Sequence, residues 1–184
     1  MSPIEAVATL LGLANVALVV RRSLWNYPFA MAMVTLYTWI FLQTRLYSDA
    51  LLQGFYLAVN GYGWWNWRRA RDVDGGVPVV LLAPRARMLW AIGAAAAALG
   101  WGALMHRATD AAYPWWDGTI AVLSIVAQTL QSRRAWDCWP VWIVVDLLAI
   151  PLFLIKGLWL TAGLYCIFLA LSVWGAIDWN KARA

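Results

Sequence analysis

Gln53, Tyr56, Asn60, Trp64 and Trp67 are separated by 3, 4, 4 and 3 residues. That spacing places all five on one stripe of an α-helix. The segment around them, from Ser48 to Trp67, is otherwise apolar and long enough to cross a bilayer. A span facing only lipid gains nothing from two carboxamides in register with aromatic rings. A span lining a ligand pocket does, because the amides bond hydroxyl and amide groups while the rings stack on flat ones. Three further rows follow: Asp117, Ser124 and Gln128 are spaced 7 and 4, Trp139, Trp142 and Asp146 3 and 4, and Tyr165, Ser172 and Trp179 7 and 7.

These groups suit binding, not bond-making. His106 is the only histidine, so no histidine cluster exists to hold a metal. There is no glycine-rich phosphate loop, and no nucleophile–histidine–acid set can be assembled within the apolar segments. Cys138 and Cys166 lack metal-ligand spacing and read as small buried apolar residues. No enzyme activity, metal or cofactor is therefore expected.

Asp146 is the sharpest single residue. It falls near the middle of an apolar segment, where an ionised side chain costs at least ~2.5–3.5 kcal/mol. A pocket carboxylate that meets a cationic or hydroxyl-rich ligand is one reading. An interhelical hydrogen bond to Tyr37 or Ser172 is the other. The 15 tryptophans divide similarly. Trp25, Trp65, Trp115, Trp116 and Trp136 fall near the ends of apolar runs, where indoles anchor spans to the interface. Trp142 lies deeper, on the Asp146 face, and reads as a ligand contact; stacking on a positive ring gains ~0.5–2 kcal/mol. Pro151 follows Asp146 by about one turn and should free the Leu147 carbonyl.

The elements that position these rows are membrane spans. The chain is 64% hydrophobic and only 12% charged, half the charge of a soluble domain, so an all-α integral membrane protein is expected. Seven spans are predicted: Ile4–Val20, Trp25–Gln43, Ser48–Trp67, Met88–Met105, Asp117–Ser132, Trp136–Ile155 and Leu158–Trp179. A polar linker, Asp72 to Arg87, and a loop, His106 to Trp116, separate the middle ones. Threading them leaves 11 Lys and Arg on one side and only Arg45, Arg107 and Lys156 on the other. The rich side should be cytoplasmic, with the N-terminus outside and the C-terminus inside. The net charge of +5 sits at span ends, so it reads as a topology signal and lipid contact, not as a nucleic-acid surface.

A shift of 112 residues superposes the chain on itself. Arg21-Arg22 falls on Arg133-Arg134, Tyr27-Pro28 on Trp139-Pro140, Leu46-Tyr47 on Leu158-Trp159, Tyr62-Gly63 on Trp174-Gly175, and Asn66-Trp67 on Asp178-Trp179. Gln53 falls on Tyr165 and Asn60 on Ser172. The reading is two three-helix bundles, residues 1–67 and 117–184, joined by residues 68–116, whose small-residue fourth span is a linker. An odd number of spans per bundle would invert the second repeat, and the fourth span restores its orientation, so the repeats are parallel, a 3+1+3 transporter plan with its site between repeats. Trp64, Trp67, Trp139 and Trp179 then read as structural or gate-like marks.

Tyr47-Ser48-Asp49-Ala50-Leu51-Leu52-Gln53, Phe55-Tyr56 and Tyr62-Gly63-Trp64-Trp65-Asn66-Trp67 resemble the PnuC family of nicotinamide riboside transporters. So do Ser124 to Gln128, Trp139-Pro140-Val141-Trp142, Asp146, Pro151 and Lys156-Gly157-Leu158. The resemblance covers about residues 20–180 and implies a full-length SWEET-like fold. It implies facilitated diffusion of nicotinamide riboside across a bacterial inner membrane, trapping by a cytoplasmic kinase, and a homotrimer. Family relatives carry thiamine or riboflavin, and the motifs do not separate these substrates. Two positions depart from the family: Tyr27-Pro28 stands where Trp-Pro is usual, and Asn60-Gly61 replace bulkier or apolar residues. For a cationic vitamin precursor, Trp142, Tyr56 and Tyr62 would cover the ring. Asp146 would balance charge or bind hydroxyls, and Gln53, Asn60, Gln128 and Ser124 would bind hydroxyl or amide groups. A non-transporting membrane scaffold subunit and a semi-SWEET-like sugar transporter are the competing readings.

Overall fold

The computed structural model describes residues 3–43, 47–71, 76–108 and 113–182. Among them are seven α-helices: α1 (Pro3–Val20), α2 (Asn26–Gln43), α3 (Tyr47–Ala70), α4 (Pro84–Ala108), α5 (Pro114–Ser132), α6 (Cys138–Ile155) and α7 (Trp159–Lys181). Each predicted span corresponds to one helix. Arg45, Leu46, Asp72 to Gly75 of the linker, positions 109–112 of the loop, and Arg183 lie outside the described residues.

The boundaries move where a proline or arginine was read as an end. Pro84 is the first residue of α4, so part of the polar linker is helical. Proline is cheap there because its missing N–H has no helical partner anyway. Pro114 opens α5 in the same way and brings Trp115 and Trp116 out of the loop into the helix. At its other end α3 continues past Trp67 through Arg68 and Arg69. By length and composition α4, α6 and α7 are each apolar enough to cross a membrane. Polar rows lie on two of the remaining helices, α3 and α5, and also on α6 and α7.

Internal packing divides the chain into two units, one of Met1–Pro78 with Ser132–Arg134 and the other of Val79–Gln131 with Ala135–Arg183. In the first, α2 packs against both α1 and α3. Its buried residues include Ala8, Val19, Val20, Tyr27, Ala30, Val34 and Trp67. Asn66 Nδ2 donates to the Ser132 carbonyl at 2.9 Å. In the second unit α6 packs against α7. Its core holds Ile120, Val145, Ala149 and Leu152, with Trp116, Trp142 and Tyr165 packed around them. The segment before α4 is tied to the α5–α6 corner: Trp136 N–H donates to the Val80 carbonyl at 2.9 Å. Asp137 accepts from the Leu82 N–H at 3.0 Å and pairs with the Arg87 guanidinium.

Residues that coincide under the 112-residue shift share local geometry within their own units. Tyr27 and Trp67 meet edge to face at 5.3 Å and 89°, and Trp139 and Trp179 at 5.4 Å and 88°. The first ring of each pair lies on a glycine: a Cβ on Gly63 would stand 2.6 Å from Tyr27, and one on Gly175 would enter the Trp139 ring. Helix ends repeat as well. After α1 the Ser23 N–H bonds the Leu18 carbonyl at 2.9 Å, and after α5 the Ala135 N–H bonds the Leu130 carbonyl at 3.0 Å. This six-residue closure needs a left-handed residue just past the helix. That residue is Arg22 (φ 53°) in one case and Arg134 (φ 64°) in the other, not the usual glycine.

Two outcomes follow. Gly63→Ala and Gly175→Ala should each lower the unfolding midpoint in detergent, by about 1–3 kcal/mol of overpacking, with Gly175→Ala the worse. Arg134→Gly should leave the midpoint unchanged or raise it, while Arg134→Val should lower it by about 1–2 kcal/mol. Equal midpoints for Gly and Val would show that Arg134 is not held in the left-handed region.

Candidate functional site

The α3 row contributes groups of graded exposure. Gln53 and Tyr56 are half-buried, and Asn60 is 3% exposed. Asn60 Nδ2 donates to the Tyr56 carbonyl at 2.9 Å, which pins the amide against its own helix. Phe55 meets Tyr56 edge to face at 5.7 Å. Toward the C-terminal end of α3, Tyr62 and Trp64 are exposed, whereas Trp67 is fully buried on Tyr27. Trp65 lies beneath the Arg69 guanidinium, 5.2 Å from the ring centre. Trp67 is thus a packing residue and Asn60 is buried against its own helix, while Gln53 and Tyr56 are half-buried and Trp64 is exposed.

The second unit holds the other candidates. Ser172 Oγ donates to Asp146 Oδ2 at 3.0 Å, and both residues are buried. Of the two partners weighed for this carboxylate, the structure selects Ser172. One oxygen is therefore fixed, and the carboxylate is oriented from the neighbouring helix. One turn earlier on the same face of α6, Trp142 donates from Nε1 to Gln131 Oε1 at 3.0 Å. That bond leaves the half-buried indole with its edge occupied and its face as the remaining contact surface. Ser124 donates to the Ile120 carbonyl of its own helix at 2.8 Å, and Gln128 is half-buried. Trp139 and Trp179 are both buried in the ring pair already described, so they pack and do not line open space.

Two tryptophans read as interface anchors do something else. Trp116 donates from Nε1 to the Leu148 carbonyl at 2.9 Å, within a turn of Pro151, where the α6 hydrogen-bond ladder is interrupted. Trp136 donates to the Ala176 carbonyl at 2.9 Å and so ties the start of α6 to α7. Trp25, Trp65 and Trp115 are exposed, as an interface role requires. Gln131 was missed as a site residue. It sits beside the Arg133-Arg134 mark, where polarity reads as the end of a span. At the opposite end of the second unit, Lys156 pairs with Asp117 at 3.4 Å. Gly157 closes α6 with φ 73°, which accounts for the Lys-Gly pair. Among the described residues no group of three His, Cys, Asp or Glu stands close enough to hold a metal.

Each unit carries groups suited to recognition: the first has amide and ring groups along α3, and the second has a buried carboxylate, a hydroxyl and an indole. Comparison with known proteins agrees. The family profile described as Nicotinamide mononucleotide transporter matches residues 2–181. The nicotinamide riboside transporter PnuC of Escherichia coli (strain K12) is 30% identical over 209 residues, 100% of this chain and 87% of that one. The riboflavin/roseoflavin transporter RibM of Streptomyces davaonensis is 36% identical over 183 residues, 95% of this chain and 83% of that one. The crystal structure of the vitamin B3 transporter PnuC superposes with a TM-score of 0.79 at 28% identity, covering 97% of this chain and 81% of that one. With seven helices among the described residues and a family match over nearly its whole length, the chain belongs to the PnuC family of multi-pass inner-membrane transporters.

Proposed function

We propose that this transporter carries nicotinamide riboside by facilitated diffusion. The observation that carries the reading is Asp146, a carboxylate buried in the apolar helix α6, oriented by Ser172 and one turn from the Trp142 ring. Nicotinamide riboside is a cation with a flat ring, a carboxamide and hydroxyl groups. A carboxylate and an indole face suit the charged ring, and Gln53, Tyr56, Asn60, Ser124 and Gln128 supply partners for the amide and ribose. Tyr62 is the outermost of the proposed ring contacts. Residues 1–67 and 117–184 serve as the two repeats and α4 as their linker. The excess of Arg and Lys at one set of span ends supports a cytoplasmic C-terminus.

A facilitator only equilibrates its substrate. Net uptake then needs a sink, and phosphorylation by a cytoplasmic kinase supplies one by adding charge the site does not accept. A homotrimer is the assembly in keeping with the family.

A second reading is riboflavin, favoured by the 36% identity to RibM. Riboflavin has a larger, neutral ring system and needs no counter-charge. Thiamine, like nicotinamide riboside, is a cation. Uptake of labelled nicotinamide riboside into vesicles, competed by thiamine, riboflavin and glucose, separates these. Uptake that none of the three suppresses supports the first reading, and an absence of nicotinamide riboside uptake by vesicles that take up riboflavin replaces it. Gln53→Ala and Trp142→Ala should each weaken nicotinamide riboside binding about tenfold while the protein stays folded; unchanged affinity in both would remove them from the site. Asp146→Asn keeps the volume and removes the charge, so it should depress cation transport at least tenfold and spare a neutral ligand.

A further inference from the structure

Gly102 of α4 lies so close to Trp115 that a Cβ there would stand 2.5 Å from the ring, and a Cβ on Gly118 would meet Gly102 at 3.6 Å. Further along, α4 and α5 leave an apolar groove of about 430 Å³ between them. Gly93, Ala94 and Ala97 form its α4 side with Leu89 at one end, and Val122 and Val126 line the α5 side. The stripe from Leu89 to Ala97 is about 12 Å long. None of the described residues stands over Gly93: a Cβ there would have no atom of theirs within 4 Å.

The groove has a cation at one end. Arg85, Leu89, Gly93 and Ala97 are four residues apart and form one stripe of α4. Arg85 is exposed and makes no hydrogen bond or ion pair among the described residues. Arg87 beside it differs, because Asp137 neutralises it. The first turn of α4 carries no acidic residue. An unpaired guanidinium one turn above a dry, small-residue groove matches an amphiphile with an anionic head and an apolar tail.

We propose that an anionic phospholipid occupies this groove, with its phosphate on Arg85 and part of one acyl chain along Gly93 and Ala97. The binding is separate from the substrate site, since no residue of the polar rows contributes. The charge pairing selects anionic over zwitterionic lipid, and the groove selects one chain position over the general lipid annulus.

Native mass spectrometry of the purified protein tests this, with phosphatidylglycerol or phosphatidylcholine of the same chains titrated into detergent. Wild type should retain phosphatidylglycerol over phosphatidylcholine. Arg85→Gln should reduce that preference about fivefold. Gly93→Leu fills the groove without striking the protein, so it should abolish retention of both lipids while the folded elution profile persists. Equal retention of phosphatidylglycerol by all three proteins would overturn the proposal. So would dissociation of an oligomer by Gly93→Leu with lipid retention unchanged, which would assign the groove to a second copy of the chain.

Discussion

In each unit a ring near the start of the second helix of a repeat lies flat against a glycine one turn before the terminal tryptophan of the third. The contact exists only because the third helix has no Cβ at that point. It lets two helices approach within the thickness of an aromatic ring, and the terminal indole then closes on the ring edge. In lipid, apolar side chains gain little by leaving one apolar medium for another, so helix association depends on such close packing. Trp139 shows how firmly the fit is held. Its Nε1 is buried with no hydrogen-bond acceptor among the described residues, at a cost of about 1–3 kcal/mol. The ring takes the orientation that the glycine permits, and its donor does without.

With that contact common to both repeats, the differences between repeats acquire meaning. Asn60 and Ser172 are equivalent, and both are buried polar residues on the third helix of their repeat. Their partners differ. Asn60 turns back on its own helix, whereas Ser172 holds Asp146, whose equivalent is the buried Val34. Trp142, held by Gln131, is equivalent to Ala30. One repeat thus offers its polar groups along α3, and the other offers a carboxylate and an indole on α6. A duplicated scaffold explains the shared parts. The unshared carboxylate and ring are the groups that the proposed substrate, with its charged and hydroxyl ends, would use.

Much of the scaffold is legible in the sequence because a span advertises itself by length, and a repeat by the coincidence of Arg-Arg, Pro, Gly and Trp marks. Helix starts were less legible: Pro84 and Pro114 are equally good turn formers and first helical residues, and only the chain beyond them decides. Partners were the least legible. Spacing says that Trp116 and Trp136 lie near span ends, but not that an α6 or an α7 carbonyl lies within reach of each N–H. The Asp146–Ser172 bond was foreseeable as one of two, since both candidates are polar residues at span depth. Gln131 was hidden by its neighbours, whose charge marks a boundary.

The helix ends join scaffold to membrane. Among the described residues, the ends after α1, α5 and α6 close through a left-handed residue, which is Gly157 after α6 and an arginine after the other two. Glycine is the cheaper choice, by the steric cost of a Cβ in that region. Arg22 and Arg134 accept the strain at the ends proposed to face the cytoplasm, where a cation orients the chain during insertion. At the opposite end the closure falls to Gly157, and the adjacent cation, Lys156, is balanced by Asp117. The same backbone turn is therefore built with arginine at the ends proposed to be cytoplasmic and with glycine at the opposite end. That division ties the topology to local backbone geometry more tightly than the charge count does alone.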